Sequence, residues 1–204
     1  MPSSNSTVIH REIGIDCGHR VPDHGSKCRS PHGHRYRVIS TCAGDLVQDF
    51  GHPEHGMVID FGNVKTYMMD IIDSIFDHAF VISVADKVMM EMYFPGEDIK
   101  RIQELYAKSI GDQLDRYCST VEKKPIVLPR TCHSEQDPDG MKVVPVPYSP
   151  TAENMAAHMF QLLERPFKAH FKDAPIELVN IRLYETPNGW VDHSAAGFNA
   201  GIGG

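Results

Sequence analysis

Two alternating segments flank one short loop, and their pairing leaves the chain few ways to fold. In residues 8–20, Ile9, Ile13, Ile15 and Cys17 share one parity, and His19 ends the same series. Such alternation reads as a strand with one buried face. Residues 22–33, PDHGSKCRSPHG, form a loop dense in Pro, Gly and Ser. Residues 34–43, HRYRVISTCA, read as a second strand. The loop is too short for a helical crossover, so the two strands are expected to pair antiparallel.

The rest of the chain adds helices and a second hairpin. Residues 44–59 read as strand ends around a polar turn with Gly51, Pro53 and Gly56. Asp60 offers an N-cap for a helix in which Phe61, Val64, Met68, Ile71, Ile72, Ile75 and Phe76 recur at helical spacing. That helix ends at Asp77-His78. Residues 98–118 carry a weaker stripe of Ile102, Leu105, Ile110 and Leu114, and 123–149 hold five prolines and read as an extended loop. Ser149 and Pro150 suit the start of a helix with Met155, Met159, Leu162 and Leu163 on its buried side. Residues 176–186 read as a strand, Gly189 to Ser194 as its hairpin partner, and GFNAGIGG as a flexible tail. The layout is α+β, with helices on one face of an antiparallel sheet.

Bulk properties bound the function. A chain of 204 residues supports one domain with a sizeable core. The net charge of -7 argues against general nucleic-acid binding, which needs a basic face. No apolar run is long enough to cross a bilayer, and the N-terminus lacks the pattern of a signal peptide. The expected location is the cytoplasm. Five cysteines without a C-x-x-C pair read as reduced thiols. Histidine is the outlier: 12 in all, eight of them by position 78.

His32 and His34 are one residue apart, so on a strand both rings point to the same side. An antiparallel partner brings His19 opposite them. Three neutral histidines leave one coordination position open, the arrangement of catalytic zinc. The competing reading is of surface histidines near a turn. Cys28 lies four residues before His32. It is either a fourth ligand or a reactive thiol favoured by the metal, Lys27 and Arg29. Asp77-His78 pairs a carboxylate with an imidazole, suited to moving a proton, or to capping a helix. Glu185 continues the apolar parity of Val179, Ile181 and Leu183, so its carboxylate needs a partner. A ligand edge rich in N–H donors would serve; so would a salt bridge, for example to Arg182.

Five blocks in this order carry a resemblance: CGHRVPDHGSKCRSPHGHRYRV, GMVIDFGNVK, FDHAF, PTAENMA and LYETPNG. Together they resemble the 6-pyruvoyl-tetrahydropterin synthase and 6-carboxy-tetrahydropterin synthase family, over residues 8–82 and 149–194. The resemblance implies a T-fold domain spanning 1–204: a four-stranded antiparallel sheet with two helices on one face, assembled as a trimer or hexamer with sites at subunit contacts. It implies Zn2+ on His19, His32 and His34, catalysis by Cys28 with Asp77 and His78, and a pterin held by Glu185, Thr151 and Glu153.

The implied substrate is 7,8-dihydroneopterin triphosphate. Charge alone suggests that Lys27, Arg29 and Arg35 help hold its phosphates. The short interval from Cys28 to H-G-H resembles the 6-carboxy branch of the queuosine and deazaguanine pathway, which releases acetaldehyde. Pyruvoyl synthase activity is the alternative. A non-catalytic zinc- or pterin-binding module is the second, and a different zinc hydrolase the third. Two departures stand out: residues 83–148 form an insert that compact members lack, with Cys132 and His133, and D-C-G-H precedes the first ligand, which puts Cys17 near the metal or, more simply, in the core.

Overall fold

Strands β1 (Thr7–His19) and β2 (His32–Gly44) pair antiparallel in unbroken register, from Thr7 opposite Gly44 to His19 opposite His32. The inward parity of Ile13, Ile15 and Cys17 continues across the pair in Tyr36, Val38 and Cys42, all buried. The structure is a computed structural model and describes residues 6–131, 133 and 135–198. Cys132 and the end of the glycine-rich tail, from residue 199 on, lie outside the described residues.

From Asp60 the chain turns helical because the Asp60 carboxylate accepts from the Gly62 N–H. Helix α1 (Phe61–Tyr67) runs through a π turn (Met68–Asp73) into α2 (Ser74–Phe76). Met68, Ile71, Ile72, Ile75 and Phe76 are fully buried, whereas Phe61 at the first turn is exposed. After His78 come β3 (Ala79–Ser83), α3 (Lys87–Tyr93), α4 (Ile99–Ser119) and β4 (Val143–Val146). In α4 the aromatic Tyr106 and Tyr117 join Ile102 and Leu114 on the inner face, and Leu105 is left exposed.

The last part is α5 (Ala152–His170), β5 (Ile176–Thr186) and β6 (Gly189–Ser194). The cap of α5 is Thr151, which accepts from the Asn154 N–H, and not Ser149; Pro150 therefore precedes the cap and leaves its carbonyl free for another partner. The expected stripe of Met155, Met159, Leu162 and Leu163 is buried.

Four antiparallel strands, β1, β2, β5 and β6, make the expected sheet, with α5 packed against β5 and β6. The sheet is larger than four strands. Its order is β4-β3-β1-β2-β5-β6, because β3 and β4 add to the β1 edge in parallel. Neither short strand shows alternation, since both are buried on both faces. The Pro145 in β4 is tolerated because β4 is the outer strand. Beside this junction Gly18 is required: a Cβ there would lie 2.5 Å from the Phe80 ring. Residues 45–59 form no strand; they make a narrow excursion closed by Val47 and Met57, with Gly51 and Gly56 at positive φ. No helix among the described residues is long and apolar enough to cross a membrane.

The core under α5 contains a neutral histidine. His158 Nδ1 lies 2.6 Å from the Tyr148 hydroxyl, and burial pushes the imidazole down to about 4. The unfolded chain takes up that proton near 6.5, the folded chain only near 4, so stability falls as pH drops through this window. The loss is about 3 kcal/mol at the low end. Denaturant titrations between pH 7 and 4.5 are expected to show it, and His158→Leu is expected to flatten the slope. An unchanged slope in that variant would assign the acid sensitivity elsewhere.

Candidate active site

His19, the last residue of β1, is 1% exposed, and its Nδ1 lies 2.6 Å from the Pro150 carbonyl oxygen. A carbonyl only accepts, so Nδ1 carries the proton and Nε2 presents a lone pair. His32 repeats the device: Nδ1 lies 2.8 Å from the Ser30 carbonyl. The two Nε2 atoms are 3.1 Å apart. With both protons on Nδ1 this contact is not a hydrogen bond; two lone pairs face each other and need a cation between them. Two nitrogens on a tetrahedral ion at about 2.05 Å sit about 3.3 Å apart, close to what is found. His34 faces the same side, and its Nε2 is buried without a hydrogen-bond partner. One nitrogen from each ring falls in a group spanning 4.8 Å. Burial also holds His19 and His34 below the ordinary imidazole range, which keeps them neutral. The donor set therefore fits a divalent ion of zinc type. The two carbonyls that orient His19 and His32 are the outer support such ligands need.

Glu185 faces the same cluster. Its Oε1 is 3.5 Å from His19 Nε2 and 3.8 Å from His34 Nε2. The β5–β6 pairing skips Glu185, passing from Tyr184 opposite Trp190 to Thr186 opposite Gly189. That bulge aims the side chain inward, as bulges near sites commonly do. Arg182 is not its partner, because Arg182 binds Asp192 with Nε at 2.8 Å and Nη2 at 2.9 Å. Tyr36, absent from the sequence-level candidates, completes the wall. Its hydroxyl is 3.2 Å from His19 Nε2 and 3.4 Å from Glu185 Oε1. Burial, with Cys17 and Glu185 nearby, drives the phenol upward and keeps it a donor. The signal was available, since Tyr36 continues the parity of His32 and His34.

Cys28 sits half-buried in a single 3-10 turn, Lys27–Arg29, between β1 and β2. The Val21 N–H donates to its carbonyl at 2.8 Å and pins the turn. It lies on the loop that joins the two strands carrying His19, His32 and His34, four residues before His32. Lys27 and Arg29 flank it, exposed. Arg35 does not join them. It lies on the opposite face of β2 and pairs with Asp16. Cys17 belongs to the core, where burial, then Asp77 and Asp16, push its thiol up to about 12.

Asp77 and His78 occupy the junction between α2 and β3. Asp77 Oδ1 accepts from the Asp16 N–H at 2.8 Å, and Oδ2 lies 2.6 Å from His78 Nδ1. The carboxylate fixes the proton on Nδ1 and leaves Nε2 as the basic nitrogen. Burial pushes Asp77 up, but the Asp16 N–H, His78 and Lys142 outweigh it and hold the carboxyl below its usual range. His78 has φ 53°, the one non-glycine in the left-handed region among the described residues. Its N–H donates to the Asp16 carbonyl at 2.7 Å. Asp16 is three residues before His19, or about 10 Å along the strand. Among the described residues no hydrogen bond or ion pair joins Cys28 to Asp77 or His78. Thr151 and Glu153 lie at the start of α5, one residue and three beyond the carbonyl that orients His19; Glu153 is exposed.

Fold and site together define a T-fold domain carrying three histidines whose nitrogens could hold a metal ion, with a carboxylate beside them. Residues 8–196 match the family described as 6-pyruvoyl tetrahydropterin synthase, and the chain belongs to that family. Among curated relatives, a protein of Rickettsia bellii named 6-carboxy-5,6,7,8-tetrahydropterin synthase is 29% identical over 89% of this chain and 96% of its own length. The Haemophilus influenzae protein of the same name is 24% identical over 91% and 96%. Among solved structures, an uncharacterized protein from Wolinella succinogenes matches with TM-score 0.61 and 22% identity, over 94% of this chain and 99% of that one. The 6-pyruvoyl tetrahydropterin synthase of Plasmodium falciparum matches with TM-score 0.55 and 17% identity, over 93% and 99%. These structures share the fold.

Proposed function

We propose that the chain is a zinc-dependent lyase that converts 7,8-dihydroneopterin triphosphate and water to 6-carboxy-5,6,7,8-tetrahydropterin, acetaldehyde and triphosphate. The carrying observation is the histidine cluster, with His19 and His32 both held protonated at Nδ1 by backbone carbonyls and Glu185 facing it; Cys28 is on the loop joining its two strands. The names of the bacterial relatives support the carboxy branch over the pyruvoyl one.

His19, His32 and His34 would hold zinc, which supplies polarisation of the side-chain oxygens of the substrate. Glu185 accepts the N–H groups of the amino-pyrimidinone edge, with Tyr36 steadying the carboxylate. Thr151 and Glu153 help to hold the pterin. Cys28 takes a proton from the side-chain carbon next to the ring. His78, oriented by Asp77 through Nδ1, carries protons at Nε2. Among the described residues no hydrogen bond or ion pair joins Cys28 to His78, and this favours a homo-oligomer, a trimer or hexamer, whose subunit contact completes the site. No step calls for nucleic acid or a membrane.

Product analysis by mass spectrometry tests this reading. Purified zinc-loaded protein with dihydroneopterin triphosphate is expected to yield carboxy-tetrahydropterin and acetaldehyde in equal amounts. A pyruvoyl product without acetaldehyde moves the chain to the other branch. Unconsumed substrate overturns the enzyme reading and leaves a binding module.

A further inference from the structure

The segment between β3 and α5 reaches back to the Asp77-His78 junction through one side chain. Lys142, immediately before β4, donates from Nζ to the Asp77 carbonyl oxygen at 2.6 Å. That carbonyl belongs to the peptide linking Asp77 to His78. The other end of the same peptide, the His78 N–H, donates to the Asp16 carbonyl. One peptide plane is thus held from both sides, between a strand of the sheet and an ammonium from a distant segment. It needs such holding, because His78 is at φ 53°, a conformation that a side chain with Cβ rarely keeps unaided. Lys142 is itself fixed: its carbonyl accepts from the Phe80 N–H at 3.0 Å, and β4 then pairs with β3 from Phe80 opposite Val143.

The ammonium is half-buried and costly to place there, yet it bonds to a backbone oxygen rather than standing in an exposed ion pair. Around it lie the carboxylates of Asp77 and Asp73 and the guanidinium of Arg130. From β1 the Asp16 N–H donates to Asp77, and the positive charge of Arg35 on β2 favours the ionised form of Asp73. Within this group Lys142 is the cation bonded to the backbone of the Asp77-His78 pair.

We propose that Lys142 is a positioning residue for His78: by clamping the Asp77–His78 peptide, it sets where the imidazole points and couples the 83–148 segment to proton transfer. The proposal rests on the reading of Asp77-His78 given above. A neutral chain of similar length, Lys142→Met, removes the donor and keeps the packing; Lys142→Arg keeps a donor.

In the zinc-loaded enzyme, Lys142→Met is expected to lower kcat about 10–100-fold, with KM and zinc content within about twofold. Lys142→Arg is expected to recover most of the loss. Nitrogen NMR of labelled histidine, with His78 assigned from a His78→Gln spectrum, is expected to show altered Nδ1 and Nε2 shifts in Lys142→Met alone. An unchanged kcat with unmoved His78 shifts overturns the proposal, and so does a fall that tracks lost zinc or lost folding. His78→Gln separates the two levels. If it turns over substrate like the wild type, the proton-transfer reading has failed by itself. Lys142 is then judged on the His78 shifts, and unmoved shifts overturn its positioning role.

Discussion

Replacing Cys28 by Ala is expected to stop turnover of dihydroneopterin triphosphate while zinc stays bound. A group that moves protons in the transition state contributes about 10²–10⁴-fold, so kcat should fall by that factor. Binding should change little, because Glu185, Tyr36 and the start of α5 are untouched. The thiol lies in a turn held by backbone hydrogen bonds, Val21 N–H to the Cys28 carbonyl and Ser30 N–H to the Lys27 carbonyl, so its removal leaves the loop in place. Zinc content by metal analysis and kcat by product formation decide the matter together. If the variant loses both, Cys28 is a metal ligand and the cluster is a closed, structural site. If it loses neither, the catalytic base lies elsewhere.

The second large effect concerns the metal. His32→Ala is expected to weaken zinc binding by more than about 100-fold, beyond what loss of an outer support alone produces. It also removes the ring whose lone pair opposes that of His19. Stability follows by mass action: a ligand at 1,000 times its Kd contributes about 4 kcal/mol. Chelation of the wild type should therefore lower its melting temperature, and His32→Ala should already lie near that lower value and respond little to chelator. A chelator shift of equal size in both proteins would place the metal somewhere other than these histidines.

Much of the site could be read from the chain because strand alternation is a strict rule. The parity of β1 and β2 put His19, His32 and His34 on one side, and that of β5 put Glu185 with Leu183. What alternation cannot supply is contact between distant segments. The Pro150 carbonyl on His19 and the Lys142 clamp join residues far apart in sequence, and the bulge that aims Glu185 is a local break that alternation does not announce. Likewise alternation does not mark β3 and β4. Buried on both faces, they carry no period, and the prolines around β4 resemble those of a loop. The cap of α5 was misplaced by two residues because Ser149 and Thr151 are both good capping types. Only the position of the helix axis distinguishes them.

The bond from His19 to Pro150 has a further consequence, for the order of assembly. His32 and His34 are separated only by Gly33 and can meet as soon as that stretch is made. The third ring acquires its orientation only when a carbonyl 131 residues further on arrives. On the zinc reading proposed above, a nascent chain would offer a loose pair of imidazoles early, and the full grip would wait until the segment leading into α5 has docked. On that reading, tight retention of the ion would thereby report that nearly the whole domain has closed around it.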